Sequence, residues 1–231
     1  MKTPAASFKA TPGAMPPRRG TVYGVALNDP ADMAALGEAV HQAPYKAAPR
    51  APVLYIKPRN TWARSGDIIT IPAGVEALRM GAALGVVIGR TACRVDVADA
   101  LSHVEGYCVV NDVAVPHASW YRPSVPCLAR DGFCVIGDDL IPASAVSDQD
   151  EASFRVDVDG ELVQQSTTAG RVRRVAQLIA DLSEFMTLHP GDIVLTGLTH
   201  QPPLARVGQT VSITFDGIGS IENTLVAEEL A

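Results

Sequence analysis

The stretch RMGAALGVVIGR, residues 79–90, decides how the fold of this chain is predicted. Between its two arginines, no side chain can carry a charge or bind a metal ion. Ile88 and two valines favour a strand, and the glycines at 81, 85 and 89 disfavour a helix. The stretch is therefore predicted to be a buried β-strand.

The composition of the chain excludes two broad classes of function. The chain has 231 residues, of which 47% are hydrophobic and 19% charged, and this is typical of a globular domain with its own core. Its net charge of −6 and its lack of basic runs exclude a nucleic-acid surface. No apolar stretch reaches the roughly 20 residues needed to span a bilayer. Four cysteines without a C-x-x-C pair are predicted to be buried, reduced thiols of a cytoplasmic protein, at positions 93, 108, 127 and 134.

Residues 1–20 lack the apolar core of a secretory signal and are predicted to form a flexible tail. Residues 21–231 are predicted to form a single domain of mainly β structure, because short β-branched runs alternate with turn residues. In FRVDVDGELV, strict alternation around Asp159-Gly160 predicts a hairpin.

Two helices are expected in this mainly β chain. DMAALGEAVHQ (32–42) has small apolar residues on one face and ends before Pro44. In residues 170–191, apolar side chains recur at helical spacing from Val172 to Met186. Thr167 or Thr168 is expected to cap this second helix, and Pro190-Gly191 to end it.

Several segments, taken in order, resemble the fumarylacetoacetate hydrolase family. They are IKPRNT (56–61), PAGVEAL (72–78), LGVVIGR (84–90), GYCVVNDV (106–113), DGFCVIGDDLIP (131–142), LHPGDIVLTG (188–197) and FDGIGSIENTL (215–225). The segments GVALN, APYK (43–46) and WYRP (120–123) are most similar to the N-terminal half, or separate first subunit, of a branch of the family in which two such halves are fused. That branch isomerises and decarboxylates intermediates of 4-hydroxyphenylacetate (homoprotocatechuate) degradation. The chain lacks G-x-G-x-x-G, Walker, G-x-S-x-G and H-E-x-x-H motifs, which argues against a nucleotide-binding fold and a serine or zinc hydrolase.

The resemblance implies a fold and a metal site. The fold would be a mixed, mainly β roll of the fumarylacetoacetate hydrolase type, with one or two peripheral helices. Active members hold one Mg²⁺ or Mn²⁺ with a Glu-x-Glu pair and the Asp of an Asn-Asp dipeptide. Such hard oxygen ligands suit these cations, which polarise a 2-oxo acid or its enolate.

This chain departs from that pattern at the metal ligands. Gly81 and Ala83 stand where the resemblance places the two glutamates, and neither can ligate a metal. Asp112 remains at the third position. One carboxylate would hold Mg²⁺ weakly, so metal binding is predicted to be weak or absent.

The remaining candidate site residues suit proton transfer and anion binding. The resemblance points Lys57 toward the site, and His117 follows the Asn-Asp strand, so these two are the candidate catalytic residues. Arg59 and Arg122 could pair with a dicarboxylate, and Thr196 with Gly197 match a family contact to the substrate carboxylate. The family's water-activating His and Glu pair is not evident after Asn28, where the next histidine is His41.

Three functions stay open at this point. The resemblance implies an isomerase of 2-hydroxyhepta-2,4-diene-1,7-dioate, a decarboxylase of 5-oxopent-3-ene-1,2,5-tricarboxylate, or both. A second hypothesis is a catalytically degraded subunit that scaffolds a metal-binding paralogue. A third is a metal-dependent acylpyruvate-type hydrolase. Family members generally pair subunits, so a homodimer or a hetero-oligomer with a paralogous second subunit is expected.

Overall fold

A computed structural model describes residues 13–14, 20–117, 119 and 124–229. Most of the predicted flexible tail, residues 1–20, lies outside them. The strands are β1 (Gly13–Ala14), β2 (Val22–Ala26), β3 (Val53–Lys57), β4 (Trp62–Ala63), β5 (Ile69–Ile71), β6 (Leu78–Arg79), β7 (Ala82–Ile88), β8 (Val104–Asp112), β9 (Cys134–Ile136), β10 (Asp139–Pro142), β11 (Ser153–Val158), β12 (Glu161–Thr167), β13 (Ile193–Leu195), β14 (Leu204–Ala205), β15 (Thr210–Phe215) and β16 (Gly219–Ala227). The α-helices are α1 (Pro30–Leu36), α2 (Val125–Leu128) and α3 (Val175–Phe185).

The opening stretch forms β7, and all seven of its residues are buried. This strand lies inside the larger sheet, antiparallel to both β8 and β13. The order of that sheet is β1-β10-β8-β7-β13-β2-β3, with β9 joined to β8 and β4 to β9. A strand covered on both faces needs no polar alternation, which explains the unbroken apolar run and confirms the predicted buried strand.

A second sheet has the order β12-β11-β15-β16-β5, and a short pair joins β14 to β6. The β11–β12 hairpin turns at Asp159 and Gly160, which both have positive φ (52° and 81°), so this prediction is confirmed. The main core cluster lies between the sheets and includes residues of β7, β15 and α3. The mainly β fold class is confirmed, although the described residues hold three α-helices, one of them a single turn.

Both predicted helices differ from the structure at their ends. The first helix begins at Pro30, after the capping carboxylate of Asp29, and stops at Leu36 because Gly37 takes a positive φ of 48°. The second begins at Val175, and the expected cap at Thr167 or Thr168 is wrong. The distant carboxylate of Asp150 accepts a hydrogen bond from the Val175 N–H, which is a contact that local spacing does not reveal.

The four cysteines, all of them described, form no disulfide, but they are not all buried. Cys108 and Cys134 are buried as predicted, Cys93 is exposed, and Cys127 is half-buried. No helix in the described part of the chain is long and apolar enough to cross a membrane.

Candidate functional site

Lys57, the last residue of β3, is fully buried and points into the protein. Its ammonium lies 2.7 Å from the Asp112 carboxylate. It also donates hydrogen bonds to the carbonyl oxygens of Val113 (2.7 Å), Leu128 (2.9 Å) and Phe133 (3.0 Å). An ammonium has three donors. Protein groups therefore satisfy Lys57 completely.

Asp112, at the end of β8, is equally enclosed, with 1% of its surface exposed. The Tyr55 hydroxyl donates to its other carboxylate oxygen. Burial, and next the nearby charge of Asp112, raise the pKa of Tyr55 well above its ordinary value. Tyr55 consequently stays neutral and remains a donor. Asp112 is thus held between an ammonium and a phenol.

The two positions where relatives carry glutamates are filled by packing. A Cβ on Gly81 would lie 2.5 Å from the carbonyl oxygen of Asp112 and 2.8 Å from the Leu198 side chain. Ala83 is 1% exposed and packs in an apolar cluster with Val22 and Val110. Within the described ranges, no group of three or more His, Cys, Asp or Glu side chains could hold a metal ion. The donor set therefore does not fit the family's cation.

A cavity of about 350 Å³ opens beside this enclosed cluster. Its apolar wall includes Val25, Leu27, Leu198 and Pro202, and its polar wall includes Asp32, Tyr55, Arg79, His117 and His200. Small-molecule sites are commonly concave and mainly apolar, with a few convergent polar groups. This cavity has that character.

His117 lines the cavity, and its Nδ1 lies 3.0 Å from the carbonyl oxygen of Val115. Because a carbonyl only accepts, Nδ1 carries the proton of the neutral ring. Burial lowers the pKa of His117 below its ordinary value, and the charge of Arg79 lowers it further. His117 is therefore a neutral imidazole near pH 7.

A second histidine lines the same cavity, paired with a carboxylate. The Nδ1 of His200 lies 2.7 Å from Oδ1 of Asp32, which is 168 residues away in the sequence. Asp32 sits in the first turn of α1, and His200 sits in the loop after β13. A water-activating pair is not evident in the sequence after Asn28, and the structure pairs Asp32 of that segment with a histidine from elsewhere in the chain. A search of the residues that follow Asn28 in sequence cannot find a partner supplied by a distant loop.

The other predicted site residues have different surroundings. Arg59 is exposed, lies 5.8 Å above the Trp62 ring and does not line the cavity. Arg122 lies outside the described residues. Thr196 and Gly197 directly precede the cavity residue Leu198. The Thr196 hydroxyl is buried and has no hydrogen-bond partner among the described residues. Gly197 has a φ of 94°, and a Cβ there would lie 2.9 Å from that of Asn28.

The mainly β fold places a cavity lined by two histidines, a carboxylate and a guanidinium beyond the ends of β2, β8 and β13, as is common in enzymes that act on small molecules. Residues 21–226 match the family model described as fumarylacetoacetate (FAA) hydrolase, C-terminal. The chain belongs to the fumarylacetoacetate hydrolase family, as the resemblance predicted.

Sequence similarity extends to one bifunctional relative in particular. The chain is 38% identical over 210 residues to the 4-hydroxyphenylacetate degradation bifunctional isomerase/decarboxylase of Escherichia coli. The match covers 91% of this chain and 48% of that protein, so the chain spans about half the length of this relative. It lies in the N-terminal half of the relative, as the sequence comparison predicted.

Solved structures are similar over almost the whole chain. The 2-hydroxyhepta-2,4-diene-1,7-dioate isomerase from Mycobacterium marinum has a TM-score of 0.75 at 26% identity, covering 94% of this chain and 78% of that chain. The fumarylpyruvate hydrolase from Pseudomonas aeruginosa, solved in complex with Mn²⁺ and pyruvate, has a TM-score of 0.76 at 27% identity. That match covers 92% of this chain and 91% of the hydrolase.

Proposed function

We propose that this chain is an isomerase of small dicarboxylates that works without a bound metal ion. The substrate would be 2-hydroxyhepta-2,4-diene-1,7-dioate. One observation carries the proposal: a cavity with a guanidinium and two histidines lies beside a strand whose metal-ligand positions are filled by packing. The names of the Mycobacterium isomerase and of the bifunctional relative support the choice of substrate.

The reaction is a proton shift that side chains can perform. One proton leaves the hydroxyl at C2, the double bonds move from C2=C3 and C4=C5 to C3=C4, and C2 becomes a carbonyl. One proton is then added at C5, so the atoms balance. Imidazole groups suit both transfers near pH 7. His117 and His200 both line the cavity and are the candidates for these transfers.

The substrate carboxylates need cationic or donor partners in the cavity. Arg79 lies on its wall, where an apolar environment strengthens a guanidinium–carboxylate pair. Thr196 and Gly197, at the edge of the cavity, remain proposed contacts to a carboxylate. Lys57 is assigned a structural role, because Asp112 and three carbonyls already satisfy its ammonium. Arg59 and Arg122 stay predictions as substrate-binding residues.

Decarboxylation of 5-oxopent-3-ene-1,2,5-tricarboxylate requires an electron sink for the carbanion, and a bound metal ion can supply one. The residues around Gly81 and Ala83 are not suited to hold a metal ion. We assign that reaction to a separate chain or half with an intact Glu-x-Glu strand. The same argument disfavours a metal-dependent acylpyruvate-type hydrolase. The absence of a disulfide between the four cysteines, all of which the structure describes, supports a reducing compartment such as the cytoplasm.

A second candidate function is that of a scaffolding subunit. The observation in its favour is that the chain spans 48% of a bifunctional relative. In this case the chain would bind a paralogous second subunit that carries the metal ligands.

Turnover by the purified chain separates these functions. The substrate dienol is followed by the loss of its ultraviolet absorbance, with EDTA in one sample and Mg²⁺ in another. Equal isomerase rates in both samples are expected. Isomerisation only after the paralogous subunit is added would replace our proposal with the scaffold. A rate that requires Mg²⁺ would contradict our interpretation of Gly81 and Ala83.

A further inference from the structure

We propose that His200, oriented by Asp32 and held in place by an Arg171–Asp29 clamp, is the acid–base residue that moves the proton in the cavity. This inference rests on the proposed isomerase function and deepens it. Neither His200 nor Arg171 has a counterpart in the motifs that carry the family resemblance.

The pairing with Asp32 determines which nitrogen of His200 can act. A carboxylate only accepts hydrogen bonds, so Nδ1 must carry a proton at the 2.7 Å contact. The neutral ring then offers the lone pair of Nε2 as a base. When Nε2 takes up a proton, the ring becomes cationic beside the Asp32 carboxylate, which stabilises it.

His117 lacks these advantages. Its ring is oriented by the neutral carbonyl of Val115, and the positive charge of Arg79 opposes its protonation. Arg79 is therefore better suited to contact an anionic substrate, whereas the neutral ring of His117 offers only the acceptor Nε2. The ring of His200, by contrast, has the Asp32 carboxylate within hydrogen-bond distance.

The proposed clamp joins the two elements that carry the pair. The Arg171 side chain is 4% exposed and donates to Asp29 Oδ2 (2.8 Å), the Leu198 carbonyl (2.8 Å) and Thr199 Oγ1 (2.9 Å). Asp29 is the N-cap of α1, the helix that carries Asp32.

The same Asp29 oxygen also accepts a hydrogen bond from the His200 backbone N–H (3.2 Å). One guanidinium and one carboxylate thus hold the helix start and the histidine loop together. Arg171 does not line the cavity, so it acts as a positioning residue rather than a catalytic one.

The pair remains open to a substrate. The side chains of His200 and Asp32 are 31% and 19% exposed, whereas Arg171 behind them is almost fully covered. Apolar groups such as Leu27, Leu198 and Pro202 line the same cavity.

The experiment measures isomerase turnover and deuterium incorporation from D₂O into the product carbon. His200→Gln is expected to lower kcat roughly 100-fold or more, the usual contribution of a general acid or base. The same substitution should slow deuterium incorporation equally. Asp32→Ala removes only the orienting carboxylate and should lower kcat roughly tenfold or more. His189→Gln, at an exposed histidine outside the cavity, is the matched control and should retain the wild-type rate.

Arg171→Met and Arg171→Lys test the clamp. Arg171→Met removes the guanidinium, so it should lower kcat with little change in KM and alter the pH profile of kcat. Arg171→Lys should retain part of the rate. A purely structural role would lower the melting temperature and leave the pH profile of the folded enzyme unchanged.

The outcomes separate this inference from the proposed function. If the wild-type protein does not isomerise the dienol, both the proposed function and this inference are refuted. Suppose instead that the wild-type protein is active. If the His200→Gln and Asp32→Ala variants are folded and keep its rate within threefold, only the inference about His200 is refuted. Should His200→Gln fail to fold, His200→Asn and Asp32→Ala give the same comparison.

Discussion

The buried Lys57–Asp112 pair allows a test of whether Lys57 has a structural or a catalytic role. Lys57→Met removes an ammonium that contacts Asp112 at 2.7 Å and three backbone carbonyls. The substitution leaves a buried carboxylate whose remaining side-chain donor is Tyr55. Breaking such a pair by removing one partner costs about 3–5 kcal/mol. We expect the free energy of unfolding to fall by about that amount.

The assay is urea unfolding of four proteins: wild type, Lys57→Met, Asp112→Asn and the double variant. The double variant should be more stable than the sum of the single effects implies, by roughly 1–3 kcal/mol, because it leaves no unpaired charge. Lys46→Met is the control, since Lys46 is an exposed lysine and should change stability by less than about 0.5 kcal/mol.

Activity distinguishes the structural role of Lys57 from the catalytic role that the sequence predicts. If Lys57 is structural, the folded fraction of Lys57→Met keeps a kcat close to that of wild type. A stable, folded Lys57→Met protein without turnover would show that Lys57 is catalytic. A loss of less than about 1 kcal/mol would contradict the buried ion pair itself.

Three further predictions concern Arg79 in the cavity, Tyr107 in the core and Gly81 next to β7. Arg79→Met should raise KM for the dicarboxylate roughly 10- to 100-fold, since it removes a charge-assisted hydrogen bond worth about 1.5–3 kcal/mol. Arg59→Met should leave KM unchanged. The reverse result would favour Arg59, the substrate-binding residue predicted from the sequence. Burial raises the pKa of Tyr107 to about 12, with Asp150 and Asp148 adding to the rise. The folded state therefore keeps a proton that the unfolded state loses above pH 10, and stability should fall between pH 10 and about 12 by up to about 1.4 kcal/mol per pH unit. Urea titrations against pH should show this decline flattened in Tyr107→Phe. Gly81→Ala should lower the free energy of unfolding by about 1–3 kcal/mol, because the added methyl group overpacks against Asp112 and Leu198. Calorimetry of a Gly81→Glu, Ala83→Glu double variant should show no tight Mn²⁺ binding.

Local patterns in the sequence predicted what depends on neighbouring residues. The apolar run at 82–88 indicated a strand buried on both faces, and Asp159-Gly160 indicated a hairpin, because side-chain period and turn conformation are local properties. The missing carboxylates at Gly81 and Ala83 were visible for the same reason. Chemistry that a residue type cannot supply is apparent from its identity alone.

Tertiary structure alone decided where the polar groups meet. Lys57 was expected to face the site, but the contact of β3 with the end of β8 directs it onto Asp112 and three carbonyls. His200 and Asp32 become partners across 168 residues because β13 pairs with β2, and this brings the loop after β13 next to α1. Strand order determines such encounters, and no local spacing encodes strand order. The sequence by itself therefore determined the family and the loss of the usual metal ligands, and the fold determined which polar side chains meet.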